Sequence, residues 1–593
     1  VKKTISKHEH RWDLSIFYTS PDDPQLEQDI LALEKNYSGF QKRYDTPGQS
    51  FLKDPEVFLA AMKEVEKMIE IESKPMRYLY HYRDIDATNE KVIAKMALIG
   101  NRLTKAGNAM AFFHVGLGKM SPAQQKRFLG DKRLARYRVY LQRKFDDGKH
   151  DLGIGEEKIM ALKSLPAYDM WVQANEKQLN TQTVSWKGKN LPIPAALGEI
   201  PKLKTHAERV ALSKALSSVL KGVAEFSEAE LNAVFTNKKI NDELRGYRTP
   251  YQNTVENYRN DPAAVEALVD AVTGAFPIAH RFYKLKAKLI GQRTLAYADR
   301  NVGIGTIQRT FDFNTSAQRF RTIILGLDRR FASIFDSYLA HGQIDSHPRL
   351  GKRSGAYCWG SYGHPTFVML NHTDDFRSFS TLAHEMGHAF HTELSKSQGP
   401  IYHDYSTSLA ETASTLFEGL AIDAMFDELT SVEKIMVLHD RINDSMSTIF
   451  RQIACFNYEK ELHETIRTKG FMSKEEIADA HNKHMSAYLG PSFKLDRDDG
   501  YYFAHWSHIR NFFYVYSYAY GELVSKAMLR RYKADPSFWS SIKEFLSAGG
   551  KDSPENILKE IGIDITKPGF WKEGLQEIEN DIDRLEKLIA TQR

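Results

Sequence analysis

The stretch TLAHEMGHAF, residues 381–390, decides how this 593-residue chain is read. Two histidines, His384 and His388, stand four apart, and Glu385 directly follows the first. On an α-helix, positions i and i+4 lie one above the other, so both imidazoles can point at a single ion. Glu385 lies about 100° round such a helix. It cannot join the pair as a ligand, yet it can reach a water held at the ion, which is the mechanical reason for this spacing in zinc hydrolases. Leu382, Met386, Ala389, Phe390 and Leu394 form an apolar stripe that supports a helix, and SQGP at 397–400 ends it. Gly387 is unusual in mid-helix, where it costs about 1 kcal/mol relative to alanine. A missing side chain beside the histidines lets another element approach closely.

A catalytic zinc needs a third protein ligand and one open position. His391 lies on the face of His384 but about 10 Å along the axis, so it is expected outside the ligand set. A histidine ten residues after the first, the metzincin spacing, is absent; Leu394 stands there. The next helical stretch, DYSTSLAETASTLFEGLAIDAMF (404–426), carries Glu411 between Ala410 and Ala413, among small residues. A carboxylate there has reason to meet a cation. The competing expectation is a capping box, because Ser408 and Glu411 have its spacing. Glu418, on the same face, is expected either to orient a ligand histidine or to pair with a buried base.

The bulk numbers exclude several classes. Hydrophobic content of 42% and charged content of 26% are those of a soluble globular protein. Length favours several domains or one multi-lobed body. A net charge of +5, from 81 basic and 76 acidic residues, gives no reason to expect nucleic acid. The densest basic stretch, DKRLARYRVYLQRKF (131–145), interleaves its charges with Leu, Val and Tyr and reads as a solvated helix face. Cys358 and Cys455 cannot make a disulfide framework, so a reducing compartment, by default the cytoplasm, is expected. No apolar run suggests a membrane span. The basic start, VKKTISKHEHRWDLS, lacks the apolar core of a secretory signal.

Most of the chain reads as helix, including 54–73, 205–235, 261–276, 315–340, 430–466, 519–533 and 574–590. QTVSWKGKNLPIPAALGEI (182–200) breaks the pattern and suggests a boundary between an N-terminal helical lobe, 1–200, and a catalytic region, 201–593. LGKRSGAYCWGSYGHPTFVMLNHT (350–373) reads as one or two short strands joined by a Gly turn. The expected architecture is mostly α, with a small β-sheet beside the histidine helix.

TLAHEMGHAFH followed by DYSTSLAETASTLFE closely resembles the oligoendopeptidase F family of zinc metallopeptidases, relatives of thimet oligopeptidase. GKRSGAYCWGSYGHP (351–365) and HIRNFFYVYSYAYG (508–521) share the resemblance, which is strongest over roughly 290–525. It implies that Glu411 completes a site with His384 and His388 for one Zn²⁺ per chain. It implies a two-lobed helical metallopeptidase with a deep central channel, cleaving internal bonds of short peptides and excluding folded proteins. The strand near 355–362 would line the channel and pair with substrate backbone, which places Gly355, Tyr357, Trp359 and Gly360 at the substrate. Tyr514, Tyr516, Tyr518 and Tyr520 alternate like a strand, but GELVSKAMLRRY after them is helical, so the period is ambiguous, and by themselves they suit a packing stripe. The resemblance implies instead that a histidine and tyrosines here donate hydrogen bonds to the developing oxyanion. By position these are His508 and Tyr518, then Tyr514 and Tyr516, with His505 a rival to His508. Glu385 would be the catalytic base. The expected function is a zinc endopeptidase acting on oligopeptides, without nucleic-acid or membrane partners. The alternatives are a helical zinc carboxypeptidase, which requires a free substrate C-terminus, and a non-catalytic peptide-binding scaffold.

Overall fold

Helix dominates because start signals recur along the chain. Asp54 caps the helix Pro55–Ile85, Thr205 and Glu208 form a capping box at the head of His206–Arg245, and Asp261 caps Pro262–Gly274. In the computed structural model, which describes residues 10–592, the protein is 73% helical. The expected helix at 315–340 is two, Phe313–Leu327 and Arg329–Ala340, because Asp328 is extended and caps the second. The C-terminal tyrosines resolve as a helix, Tyr516–Ala534, preceded by a tight 3-10 turn at Ser507–Arg510.

Among the described residues, buried apolar side chains form three clusters. The largest runs from Leu179 to Leu585 and encloses the histidine helix and its neighbours. A second joins Tyr37 to Phe145. A third links Trp12, Tyr78 and Ile99 to Phe367 and Met369. The boundary expected at residue 200 therefore falls inside the largest core, where Leu179, Val184, Ile193, Ala196 and Ile200 are buried. The reason is a hairpin: β1 (Thr183–Trp186) and β2 (Lys189–Pro192) turn tightly at Lys187 and Gly188, both at positive φ, and β1 packs on His206–Arg245. The change of core comes earlier, between Phe145 and Leu179.

The small sheet has three strands: β3 (Ile344–Asp345), β4 (Tyr357–Ser361) and β5 (His364–Met369). Their order is β3-β5-β4, with β4 antiparallel and β3 parallel to the central β5. Trp12 Nε1 donates to the Val368 carbonyl at 2.9 Å, and the Tyr357 hydroxyl donates to Asp84 at 2.8 Å. These bonds tie the N-terminal segment at Trp12 and the helix Pro55–Ile85 to the sheet, and β4 and β5 pack on the histidine helix.

One stretch departs from the expectation that no apolar run is long enough for a bilayer. Pro262–Leu289 passes on length and composition, with mean hydropathy 1.3. It is broken at Ala275 into two helices, Pro262–Gly274 and Phe276–Leu289. Val265, Leu268, Val272, Ala279 and Phe282 are buried in the main core, against the C-terminal helix Pro568–Thr591 among others.

Candidate active site

The histidine helix, Phe376–Ser395, starts at Asp375, whose carboxylate accepts from Ser378 N at 2.7 Å. The glutamate helix, Thr407–Phe426, starts at Ser406, whose hydroxyl accepts from Ser408 N. Ser406 is thus the cap, and the competing Ser408–Glu411 capping box does not form. Two glycines bring the helices together. A methyl on Gly387 would lie 2.7 Å from both the Ala413 carbonyl oxygen and Ser414 Cα. A methyl on Gly521, in Tyr516–Ala534, would lie 2.9 Å from Glu411 Cβ. The glutamate helix is pinched between its two neighbours, and Glu411 emerges at the pinch. Gly387→Ala should cost about 1–3 kcal/mol of stability in a denaturant titration, since the obstacle is backbone. It should also weaken metal binding by moving Glu411 from the histidines; an unchanged affinity would show that the helices can part without cost to the site.

The donor atoms converge. Nε2 of His384 stands 3.3 Å and Nε2 of His388 3.6 Å from Oε2 of Glu411, and the three lie within 4.8 Å of one another. Ligands about 2.0–2.2 Å from one ion at tetrahedral angles stand roughly 3.3–3.6 Å apart, so this donor set fits a zinc-sized cation. Neighbours fix each group. Nδ1 of His384 meets Glu418 at 3.1 Å, and Ser414 Oγ donates to Oε2 of Glu411 at 2.9 Å. Burial opposes charge on Glu411, but the hydrogen bond from His384, the nearby His388 and Ser414 together hold its pKa at about 2. Burial pushes His388 down to about 4, which keeps its ring neutral, as a metal ligand must be. Burial also opposes charge on His384, but Glu411 and Glu418 at its two ring nitrogens outweigh it and raise the pKa. A cation at this point would replace that proton.

Glu385 is 6% exposed, and its Oε2 has no hydrogen-bond partner. Burial lifts its pKa to about 7. A carboxyl poised near neutrality beside a metal-ligand set is what proton transfer requires. His391 is no part of the set: it is 1% exposed, with its ring stacked 3.6 Å from that of Tyr405.

The C-terminal block divides by helical period. Tyr514 and Tyr518 fall on one face, their rings 5.6 Å apart, and the Tyr514 hydroxyl lies 3.0 Å from Nδ1 of His508. The His508 and Tyr518 rings stack at 6.2 Å. Tyr518 sits one turn before Gly521, the residue that touches Glu411. Tyr516 departs from the expected placement: it is fully buried on the opposite face, and its hydroxyl donates to Asn260 Oδ1 at 2.8 Å. Tyr520 is buried beside it, accepting from Asn260 Nδ2 at 3.2 Å. A strand would have put all four tyrosines on one side; here the helix sends Tyr516 and Tyr520 one way and Tyr518 the other, where Tyr514, in the turn before the helix, joins it. His505 packs against Tyr502 and does not join the group.

The expected substrate strand offers its backbone rather than its side chains. Tyr357 reaches Asp84, and the Arg77 guanidinium stands 4.3 Å over the Trp359 ring, so both side chains are taken by Pro55–Ile85. Gly355, at φ 84°, precedes the strand, and its carbonyl accepts from Asn371 Nδ2 at 2.6 Å. Gly360 allows close contact with the histidine helix: a methyl there would meet Thr392 Cγ2 at 2.5 Å. β4 pairs with β5 along one edge, and among the described residues no strand pairs with the other. Sequence reasoning missed Ser414, Gly521 and Asn260. Gly521 alone left a signal, a glycine inside a helical run.

Residues 204–577 match peptidase family M3. The chain belongs to that family. This M3 peptidase is 23% identical over 606 residues to the group B oligopeptidase PepB of Streptococcus agalactiae, covering 98% of each chain. It is 23% identical to an oligoendopeptidase F homolog of Lactococcus lactis, covering 98% of this chain and 97% of that one. Its fold matches the oligoendopeptidase-F structure from Enterococcus faecium with a TM-score of 0.70 at 19% identity, over 96% and 99% of the two chains. The M3 peptidase is a metalloendopeptidase of mostly helical fold, and neither the carboxypeptidase nor the scaffold alternative is favoured.

Proposed function

We propose that this M3 peptidase is a zinc enzyme that cuts internal bonds of short peptides, with His384, His388 and Glu411 holding one ion. The donor spacing of 3.3 and 3.6 Å supports this reading most directly. When bound, the ion polarises the scissile carbonyl and makes water a better nucleophile. The substrate backbone pairs with the open edge of β4, which holds the peptide extended beside the histidine helix. Glu385 takes the proton of the attacking water and returns it to the leaving amine. Burial lowers the His508 pKa to about 4, so the ring is neutral at pH 7. In the tautomer that carries its proton on Nε2, Nδ1 accepts from the Tyr514 hydroxyl 3.0 Å away, and Nε2 and the Tyr518 hydroxyl are the donors to the oxyanion. Two unpaired cysteines suit a reducing cytoplasm.

The experiment is digestion of a peptide library followed by mass spectrometry, with and without a chelator, alongside metal analysis. Internal cleavage that persists when C-termini are blocked, and that stops on chelation and returns with zinc, is the expected result. Release of single C-terminal residues only from unblocked peptides would overturn it. Tyr518→Phe should lower kcat about a hundredfold with unchanged metal content. A variant as fast as the parent would return Tyr518 to packing.

A further inference from the structure

The chain between His508 and Tyr514 is held in a shape its residues resist. Phe512 and Phe513 stand consecutively at φ 44° and 64°. Residues with a Cβ rarely adopt this left-handed region, and bulky aromatics least of all. Two in succession persist only where the surroundings dictate them.

Those surroundings come from several elements. Glu459, on the helix Arg451–Lys469, is fully buried, and both its oxygens accept from Phe513 N, at 2.9 and 3.0 Å. The Thr254 hydroxyl donates to the Phe512 carbonyl at 2.7 Å, and the Tyr168 hydroxyl to the Arg510 carbonyl at 2.6 Å. Arg510 itself pairs with both oxygens of buried Glu230, at 2.9 and 2.6 Å, and donates to the Phe503 and Trp506 carbonyls. The Phe513 ring is fully buried against Phe456, Tyr251 and His463. A buried carboxylate that gives both oxygens to one backbone N–H, with His463 Nε2 no nearer than 3.8 Å, has fixing that peptide as its visible task.

We propose that the Phe512–Phe513 turn, clamped by Glu459, is the positioning device for His508, Tyr514 and Tyr518. The chain must reverse within a few residues to bring the Tyr514 hydroxyl back to 3.0 Å from His508 Nδ1 and to launch the helix at Tyr516. The left-handed pair makes that reversal, and Glu459 and Thr254 keep it from relaxing. Glu459, Phe512 and Phe513 act through the trio and touch no substrate. The inference rests on the catalytic role proposed above for that trio.

Phe512→Gly and Phe512→Ala separate the turn's shape from its packing. Both remove a half-buried ring, but only glycine also removes the resistance to positive φ. The glycine variant should unfold at a higher temperature than the alanine variant. Its kcat should nevertheless be about tenfold lower, with KM and metal content unchanged, because a loosened turn misplaces the donors. If stability and kcat rank the two variants alike, the proposal is overturned. Glu459→Ala should lower kcat at constant KM, and Glu459→Gln, which keeps one oxygen for Phe513 N–H, should restore most of it. A folded Glu459→Ala enzyme with the parent kcat also overturns the proposal; should that variant not fold, the Phe512 pair decides. Tyr518→Phe distinguishes the two failures. If it keeps the parent kcat, the trio's catalytic role fails. If it loses kcat while the Phe512 variants rank alike, only the positioning role fails.

Discussion

Glu385→Gln should remove nearly all turnover and leave the metal content intact. Glutamine fills the same space, and Glu385 is not among the converging donors His384, His388 and Glu411, so the ligand set is undisturbed. What goes is the carboxylate proposed to take a proton and give it back, a contribution of about 10²–10⁴ in rate for each transfer it assists. The variant should also be no less stable than the parent. The carboxyl is buried with an unpartnered oxygen, and burial holds its pKa near 7, so an amide avoids the cost of charging that site. The same assignment fixes the sign of the pH dependence. The base works only when ionised, so turnover falls as pH drops through its pKa. Burial, opposed by His384 and helped by the negative charges of Glu411 and Glu418, sets that at about 7, and a nearby divalent cation lowers it, so the acid limb of kcat/KM lies at or below 7. Steady-state kinetics on a quenched peptide, with metal analysis of the same sample, measures both effects. Substantial turnover by Glu385→Gln would take the base role from this residue.

Glu411→Ala should lose the metal itself. The two imidazoles remain four residues apart, but the carboxylate that supplies the third donor and balances the cation's charge is gone. Removing an outer hydrogen-bond partner of a ligand typically costs about 10–100-fold in metal affinity, and removing a ligand should cost more. Stoichiometry after dialysis should fall from near one ion per chain to a small fraction, with activity falling in proportion. Glu418→Gln, which weakens only the partner of His384 Nδ1, should show the smaller loss. Full occupancy in Glu411→Ala would mean that the ion is held elsewhere.

The histidine pair, its helix and the neighbouring small sheet were all legible, because each is a local pattern. Helical period puts His384 over His388, and an apolar stripe and a Gly-rich turn report burial and reversal. Glu411 was legible only as a choice between ligand and cap. That choice depends on which serine starts the helix, and Ser406 and Ser408 offer nearly the same local chemistry. The tyrosines were ambiguous for a similar reason. Alternation at 514, 516, 518 and 520 satisfies a strand, and only the start of a helix at Tyr516 sends Tyr516 to Asn260 and leaves Tyr514 and Tyr518 beside His508. Residue 200 was expected at a boundary because the β1–β2 hairpin looks like a linker in composition, although Val184 and Ile193 are buried in the largest core and β1 packs on the helix that follows.

By itself, the sequence determined the residue types that can hold and use a metal, the helical spacing that faces two of them the same way, and the mostly helical class. Tertiary structure alone decided that Gly387 and Gly521 let three helices meet backbone to side chain, that Glu411 arrives within 3.6 Å of both imidazoles, and that a resisted turn returns Tyr514 to His508. The physical reason is range. Periodicity and capping act within a few residues of chain, whereas a metal site needs atoms from distant segments placed to within fractions of an ångström, and only the packing of those segments fixes that distance.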